Sequence, residues 1–172
     1  KELLNDFRVM RLSREASLLG RKEVLTGKAK FGIFGDGKEL PQIVMAKFFR
    51  NGDIRSGYYR DQTFMMATNN LTIKEFFAGL YAHTDIQKEP TSAGRQMGGH
   101  FSTRLIDEDG KWLNLTEQKN STSDISPTAG QMPRLVGLGL ASKVYRNNKE
   151  LSHLTNFSKN GDEIAFGTIG DA

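Results

Sequence analysis

Along the first stretch of the chain the apolar residues Leu4, Phe7, Met10, Leu18 and Leu19 fall mostly on helical spacing, and Gly27 is placed to end the segment. A first helix is expected from Leu3 to about Val24. After the Gly-rich turn in "GIFGDGKE", Leu40, Ile43, Val44 and Phe48 recur at i, i+3, i+4 and i+8, with Pro41 in the first turn. That spacing predicts a second helix. Asp53 to Tyr58 reads as a brief strand that delivers Tyr59 and Arg60 to a new element. In "LTIKEFFAGLYAH", Thr72 and Glu75 form a capping box, and Phe76, Phe77, Leu80 and Tyr81 supply a buried face.

The segment 84–124 is crowded with Gly, Ser, Thr, Asn and Asp and is far longer than the roughly 12 to 15 residues of an ordinary connection. A loop of that length is expected to be functional. "SPTAGQMPRLVGLGLASKVY" predicts a further helix, with Pro133 in its first turn, Leu135, Val136, Leu140 and Val144 buried, and small residues allowing close packing. After a polar stretch from Asn147 to Asn160, "EIAFGTIGDA" reads as a buried strand opening into a phosphate or metal loop. Helices dominate, and only this last strand is strongly apolar. A buried parallel strand needs neighbours on both sides. The expectation is therefore the front half of an α/β domain, its other strands lying beyond the chain or in a partner.

Composition narrows the class. With 172 residues, of which 37% are hydrophobic, the chain suits one ordinary core. Its 24 basic and 20 acidic residues are interspersed, so the net charge of +4 does not imply nucleic acid. The absence of cysteine removes disulfide scaffolds, thiolate metal sites and cysteine nucleophiles. No stretch resembles a membrane span or a secretory signal, and a cytoplasmic protein is expected. The sequons at Asn70, Asn114, Asn120 and Asn156 are read as chance triplets.

Several motifs bear on chemistry. "GIFGDGKE" is read as a helix-connecting turn because no strongly apolar strand precedes it, and "GLGLAS" as packing inside a helix rather than a dinucleotide fingerprint. In "GYYRD", an arginine behind two tyrosines offers a planar, permanently charged fork with phenol donors, suited to a diphosphate. A surface ion pair of Arg60 with Asp61 is the bland alternative. His100, among glycines and near Arg95, can pass protons near neutral pH or be an ordinary loop histidine. His83 and His153 lack zinc-ligand spacing. Asp171, after an apolar strand, could bind a hard cation such as magnesium.

Taken in order, "LTGKAKFGIFGDGKELPQ", "GYYRDQTFMMA", "EFFAGLYAHTDI", "SAGRQMGGHFS", "DISPTAGQMPRLVGLGLASK" and "IAFGTIGDA" closely resemble the thiamine-diphosphate-dependent alpha subunit of the branched-chain and pyruvate 2-oxo acid dehydrogenase complexes. The style is most similar to the bacterial fused alpha-beta form of the 2-oxoisovalerate type. The resemblance implies an α/β, helix-rich N-terminal half of a thiamine-diphosphate-binding fold, with a mostly parallel sheet truncated after an early core strand. Residues 1–172 would be the N-terminal part of the alpha domain, with N-terminal helices in 1–50 and an active-site loop in 84–124.

The implied activity is oxidative decarboxylation of a branched-chain 2-oxo acid and transfer of the acyl group to the lipoyl domain of the acyltransferase component. The implied partners are a beta subunit or fused beta region, in a homo-oligomer for the fused form. By the same resemblance Tyr59 and Arg60 bind the cofactor diphosphate, and Ser126 and Thr128 lie beside the thiamine rings. Thr128 stands where the family has a large apolar residue. Gly170, Asp171 and Ala172 open the cofactor fingerprint, with Asp171 the magnesium ligand, and His100 lies near the substrate entrance. Gln131 matches a residue of a structural potassium site, with Gly130 in place of its threonine.

Other readings are a pyruvate or acetoin dehydrogenase alpha region, a non-catalytic assembly module, and a dinucleotide-binding dehydrogenase. The last lacks the required strand, turn and helix order.

Overall fold

The computed structural model describes residues 1–170. The chain divides into two compact units, one made of Lys1–Phe48 with Tyr59–Phe101 and the other of Phe49–Tyr58 with the residues from Ser102 onward.

The first unit is helical. Helix α1 (Glu2–Leu25) and α2 (Glu39–Phe48) appear where the apolar spacing placed them. The face that α1 buries is not the apolar one: Ser13, Ala16, Ser17, Gly20 and Glu23 point inward, while Leu4, Phe7, Leu18 and Leu19 are exposed. On α2, Glu39, Gln42, Ile43 and Ala46 are buried, and Leu40, Val44 and Phe48 are exposed. Between the units' crossover at Tyr59 and the next helix lies an element that hydrophobicity did not reveal, α3 (Gln62–Ala67), buried along nearly its whole length. Its polar start is why: Gln62 and Thr63 carry no apolar signal, yet both are fully buried by hydrogen bonds. Helix α4 (Ile73–Leu80) has the predicted capping box, with Thr72 Oγ1 accepting from the Glu75 amide and the Glu75 carboxylate accepting from the Thr72 amide. Phe76 and Leu80 are buried, but Tyr81 is exposed and Phe77 only half-buried.

The second unit holds a small parallel sheet. Strands β1 (Ile54–Ser56), β2 (Asn120–Ser121) and β3 (Ala165–Gly167) are ordered β2-β1-β3. Ile54 pairs with Asn120 and Ala165, which fixes the register on both sides. The apolar terminal strand thus finds a neighbour within the chain. That neighbour, β1, is the brief strand expected at Asp53 to Tyr58, and its buried residues are Arg55 and Ser56. β3 itself is half-buried rather than buried.

Helix α5 (Gln131–Asn147) packs on β1 and β3. The expected burial of Val136, Leu140 and Val144 is not observed: all three are exposed, and the inward positions are Gln131 and Ser142. Gly137 and Gly139 likewise face open space rather than a packed neighbour. Close packing occurs instead at Gly167, where an added Cβ would lie 2.6 Å from a Leu135 methyl. No helix among the described residues is long and apolar enough to cross a membrane.

Candidate functional site

In the first unit a buried polar network fixes the backbone around Arg60. Gln42 on α2 donates from Nε2 to the Arg60 carbonyl at 3.0 Å and accepts from the Phe64 amide at 3.0 Å. Gln62 donates to the Ser13 carbonyl at 3.0 Å and to Ser17 Oγ at 2.8 Å, tying α3 to α1. Ser13 Oγ and Thr63 Oγ1 are 2.6 Å apart. Small hydroxyls on α1 let α3 approach closely and satisfy its polar side chains. Glu39 anchors the start of α2 by a bidentate pair with Arg14, at 2.6 and 3.0 Å. Burial pushes the Glu39 carboxyl up, but the Arg14 fork and the Glu39 and Gly37 amides outweigh it and hold the group below the usual carboxylate range. Gly35, from the Gly-rich turn, passes so close to the Arg60 carbonyl that a Cβ would lie 2.2 Å from it.

On this scaffold Tyr59, Arg60 and His100 come together. The Tyr59 and His100 rings stack at 6.4 Å between centroids with 25° between planes, and the Arg60 guanidinium carbon stands 5.9 Å from the Tyr59 ring centre. His100 reaches this position through a turn in which Gly99 adopts φ +92°, and a Cβ there would sit 2.9 Å from the Tyr59 carbonyl. Nδ1 of His100 lies 2.8 Å from the Met97 carbonyl and so carries the donated proton, which leaves the lone pair of the neutral ring on Nε2. A planar cation, a phenol and a proton-accepting imidazole form one cluster, with a donor set suited to a phosphate ester and a proton-transfer partner.

In the second unit Ser126 and Thr128 are exposed on the segment leading into α5. Gly170 is half-buried against Tyr58, where a Cβ would overlap the phenol ring. Asp171 and Ala172 lie outside the described residues, so the magnesium assignment has no geometry. Among the described residues no group of three or more histidine or carboxylate side chains is arranged to hold a metal ion. His83 Nδ1 accepts from the Asp85 amide, and His153 Nδ1 donates to the Glu150 carbonyl.

Gln131 is fully buried, donates from Nε2 to the Thr168 carbonyl, and has an Oε1 with no hydrogen-bond partner. A neutral buried oxygen of this kind is one of the several oxygen donors that a monovalent cation such as potassium would need. The hydroxyl of a threonine at position 130 could not be restored without movement, because a Cβ there would lie 2.7 Å from the Ile125 side chain.

Residues that sequence reasoning missed include Gln42, Gln62, Arg55 and Asp124. Gln42 lies on a helix whose apolar neighbours drew the reading, and Gln62 on α3, for which no helix was expected. The last two form a buried ion pair between segments distant in sequence, with no local spacing to reveal it.

No protein-family profile matches the chain. The chain is similar to the 2-oxoisovalerate dehydrogenase subunit alpha of Bacillus subtilis (strain 168), 29% identical over 154 residues. The match covers 86% of this chain and 40% of that protein, so the chain spans well under half the relative's length. The resemblance seen in the motifs is met by this relative.

Proposed function

We propose that the chain is the N-terminal part of the alpha region of a thiamine-diphosphate-dependent 2-oxo acid dehydrogenase, acting on a branched-chain 2-oxo acid. The similarity to the alpha subunit across most of the chain carries the proposal. The Tyr59, Arg60 and His100 cluster supports it from the chemistry of its donors. When bound, thiamine diphosphate supplies the carbon nucleophile and the electron sink for decarboxylation.

This chain's residues bind and orient. Arg60 would hold the diphosphate by charge-assisted hydrogen bonds, with the Tyr59 hydroxyl as a further donor. Tyr59 and His100 stiffen each other by stacking, and Gln42 fixes the Arg60 backbone. His100 would accept or return a proton at Nε2 near the substrate. Ser126 and Thr128 would lie beside the thiamine rings, where the Thr128 hydroxyl makes a more polar wall than a large apolar side chain. Gly170, Asp171 and Ala172 would open the metal-diphosphate fingerprint, with Asp171 a magnesium ligand. Gln131 would offer its buried oxygen to potassium.

The working assembly would include a beta subunit or fused beta region and pass its acyl group to a lipoyl domain. It would be cytoplasmic and homo-oligomeric if fused. Replacement of Arg60 by Ala in the intact protein tests the assignment. Loss of charge-assisted hydrogen bonds of ~1.5 to 3 kcal/mol raises the thiamine diphosphate concentration for half-maximal activity roughly 10- to 100-fold. Arg60→Lys recovers only part of the loss. An unchanged cofactor requirement in R60A favours an assembly module.

A further inference from the structure

The central strand of the sheet carries an arginine where a fully buried strand normally carries an aliphatic residue. Arg55 is 0% exposed, and its guanidinium reaches three residues of the second unit. Nη1 stands 3.0 Å from Asp124 Oδ1 and donates to Ser121 Oγ at 2.7 Å. Nη2 donates to Asp124 Oδ2 at 3.0 Å and to the Tyr58 carbonyl at 2.9 Å. The space it occupies is vacated by Gly57, since a Cβ there would lie 1.9 Å from the guanidinium carbon. Arginine at 55 and glycine at 57 are therefore one device.

A buried ion pair is a poor way to gain stability, because desolvation offsets most of the attraction; its better-attested use is to select one conformation. The segment that needs such selection is adjacent. "STSDISPTAG", residues 121–130, has Ile125 as its one large apolar side chain and so has little hydrophobic anchorage. Its conformation rests on polar contacts: Asp124 on Arg55, the Thr122 amide on the Arg55 carbonyl at 2.9 Å, and Arg134 of α5 on Thr122 Oγ1 at 2.9 Å. Ser126 and Thr128 ride on this segment.

We propose that Arg55 and Asp124 are a positioning pair that holds the 122–128 segment in the one conformation able to receive the thiamine portion of the cofactor. The proposal rests on the reading of function above. Neither residue need touch the cofactor: each acts through the backbone that carries Ser126 and Thr128.

The test uses the intact protein with the double variant Arg55→Met and Asp124→Leu, which removes both charges while keeping volume. Asp124→Asn serves as a second variant if the double variant does not fold. Without cofactor, hydrogen exchange of the 122–130 amides is expected to quicken about tenfold or more while the central amides of α5 keep their protection. With cofactor, the half-saturating thiamine diphosphate concentration is expected to rise about tenfold or more, with kcat at saturation within about threefold of the parent. Unchanged exchange and unchanged cofactor requirement overturn the pair's role. So does a uniform loss of protection across the unit with kcat falling in step, since that marks a merely structural pair. A parent protein that shows no response to thiamine diphosphate defeats the functional reading instead, and the exchange arm then decides alone whether the pair orders the segment.

Discussion

Tyr59 and Arg60 were legible as a candidate binding pair because their chemistry is local, a cation and a phenol side by side at the end of a strand. Glu89 was not, because its role is to collect amides from a turn. Its buried carboxylate accepts from the Thr91, Ser92 and Gly94 amides at 3.1, 2.8 and 3.0 Å and from Ser92 Oγ at 2.8 Å. Burial alone would push the carboxyl up, but the Gly94 amide and the Ser92 and Thr91 donors hold it below the usual range. A folded-state value below the unfolded one gives stability that is present above the unfolded value, about 4.3, and is lost as pH falls through the folded one. Glu89→Gln should therefore cost about 1–3 kcal/mol near neutral pH. Urea unfolding at stepped pH should show the gap between variant and parent closing below about pH 4. A gap that stays constant would remove the carboxylate from this account.

The elements divide by how their burial is achieved. Helices α1, α2, α4 and α5 announced themselves through apolar spacing and caps, yet on α1, α2 and α5 most of the spaced apolar residues are exposed, Ile43 on α2 being a buried exception. Strand β1 was legible as the brief strand at Asp53 to Tyr58, whereas α3 is too short to show a period and β2 was hidden because its residues, Asn120 and Ser121, are buried polar groups. Removing Gln62 by substitution with Leu leaves Ser13 and Ser17 without that donor in a closed interior, at a cost of roughly 2–4 kcal/mol in chemical unfolding. A variant as stable as the parent would show that the network is replaceable by packing. At α4, Thr72→Ala removes the capping box and should cost about 1 kcal/mol. A thermal melt unchanged by T72A would mean that tertiary packing alone holds the helix start.

For the whole molecule, the α/β class with a parallel sheet followed from the order of elements, while the roles of Ser126, Thr128 and Gly170 came from the resemblance and not from spacing. The segment 84–124 contains turns, the Ile106–Trp112 bridge and β2, so much of its order comes from local polar contacts that leave no periodic trace. The similarity covers 40% of the relative's length, which makes the proposed decarboxylation the central claim to be tested. The most direct measurement is release of carbon dioxide from carboxyl-labelled 2-oxoisovalerate by the intact protein together with the proposed beta region, with thiamine diphosphate and magnesium added or withheld. Release that requires both additions and exceeds that from pyruvate is the predicted result. No release from any 2-oxo acid in the presence of both would contradict it.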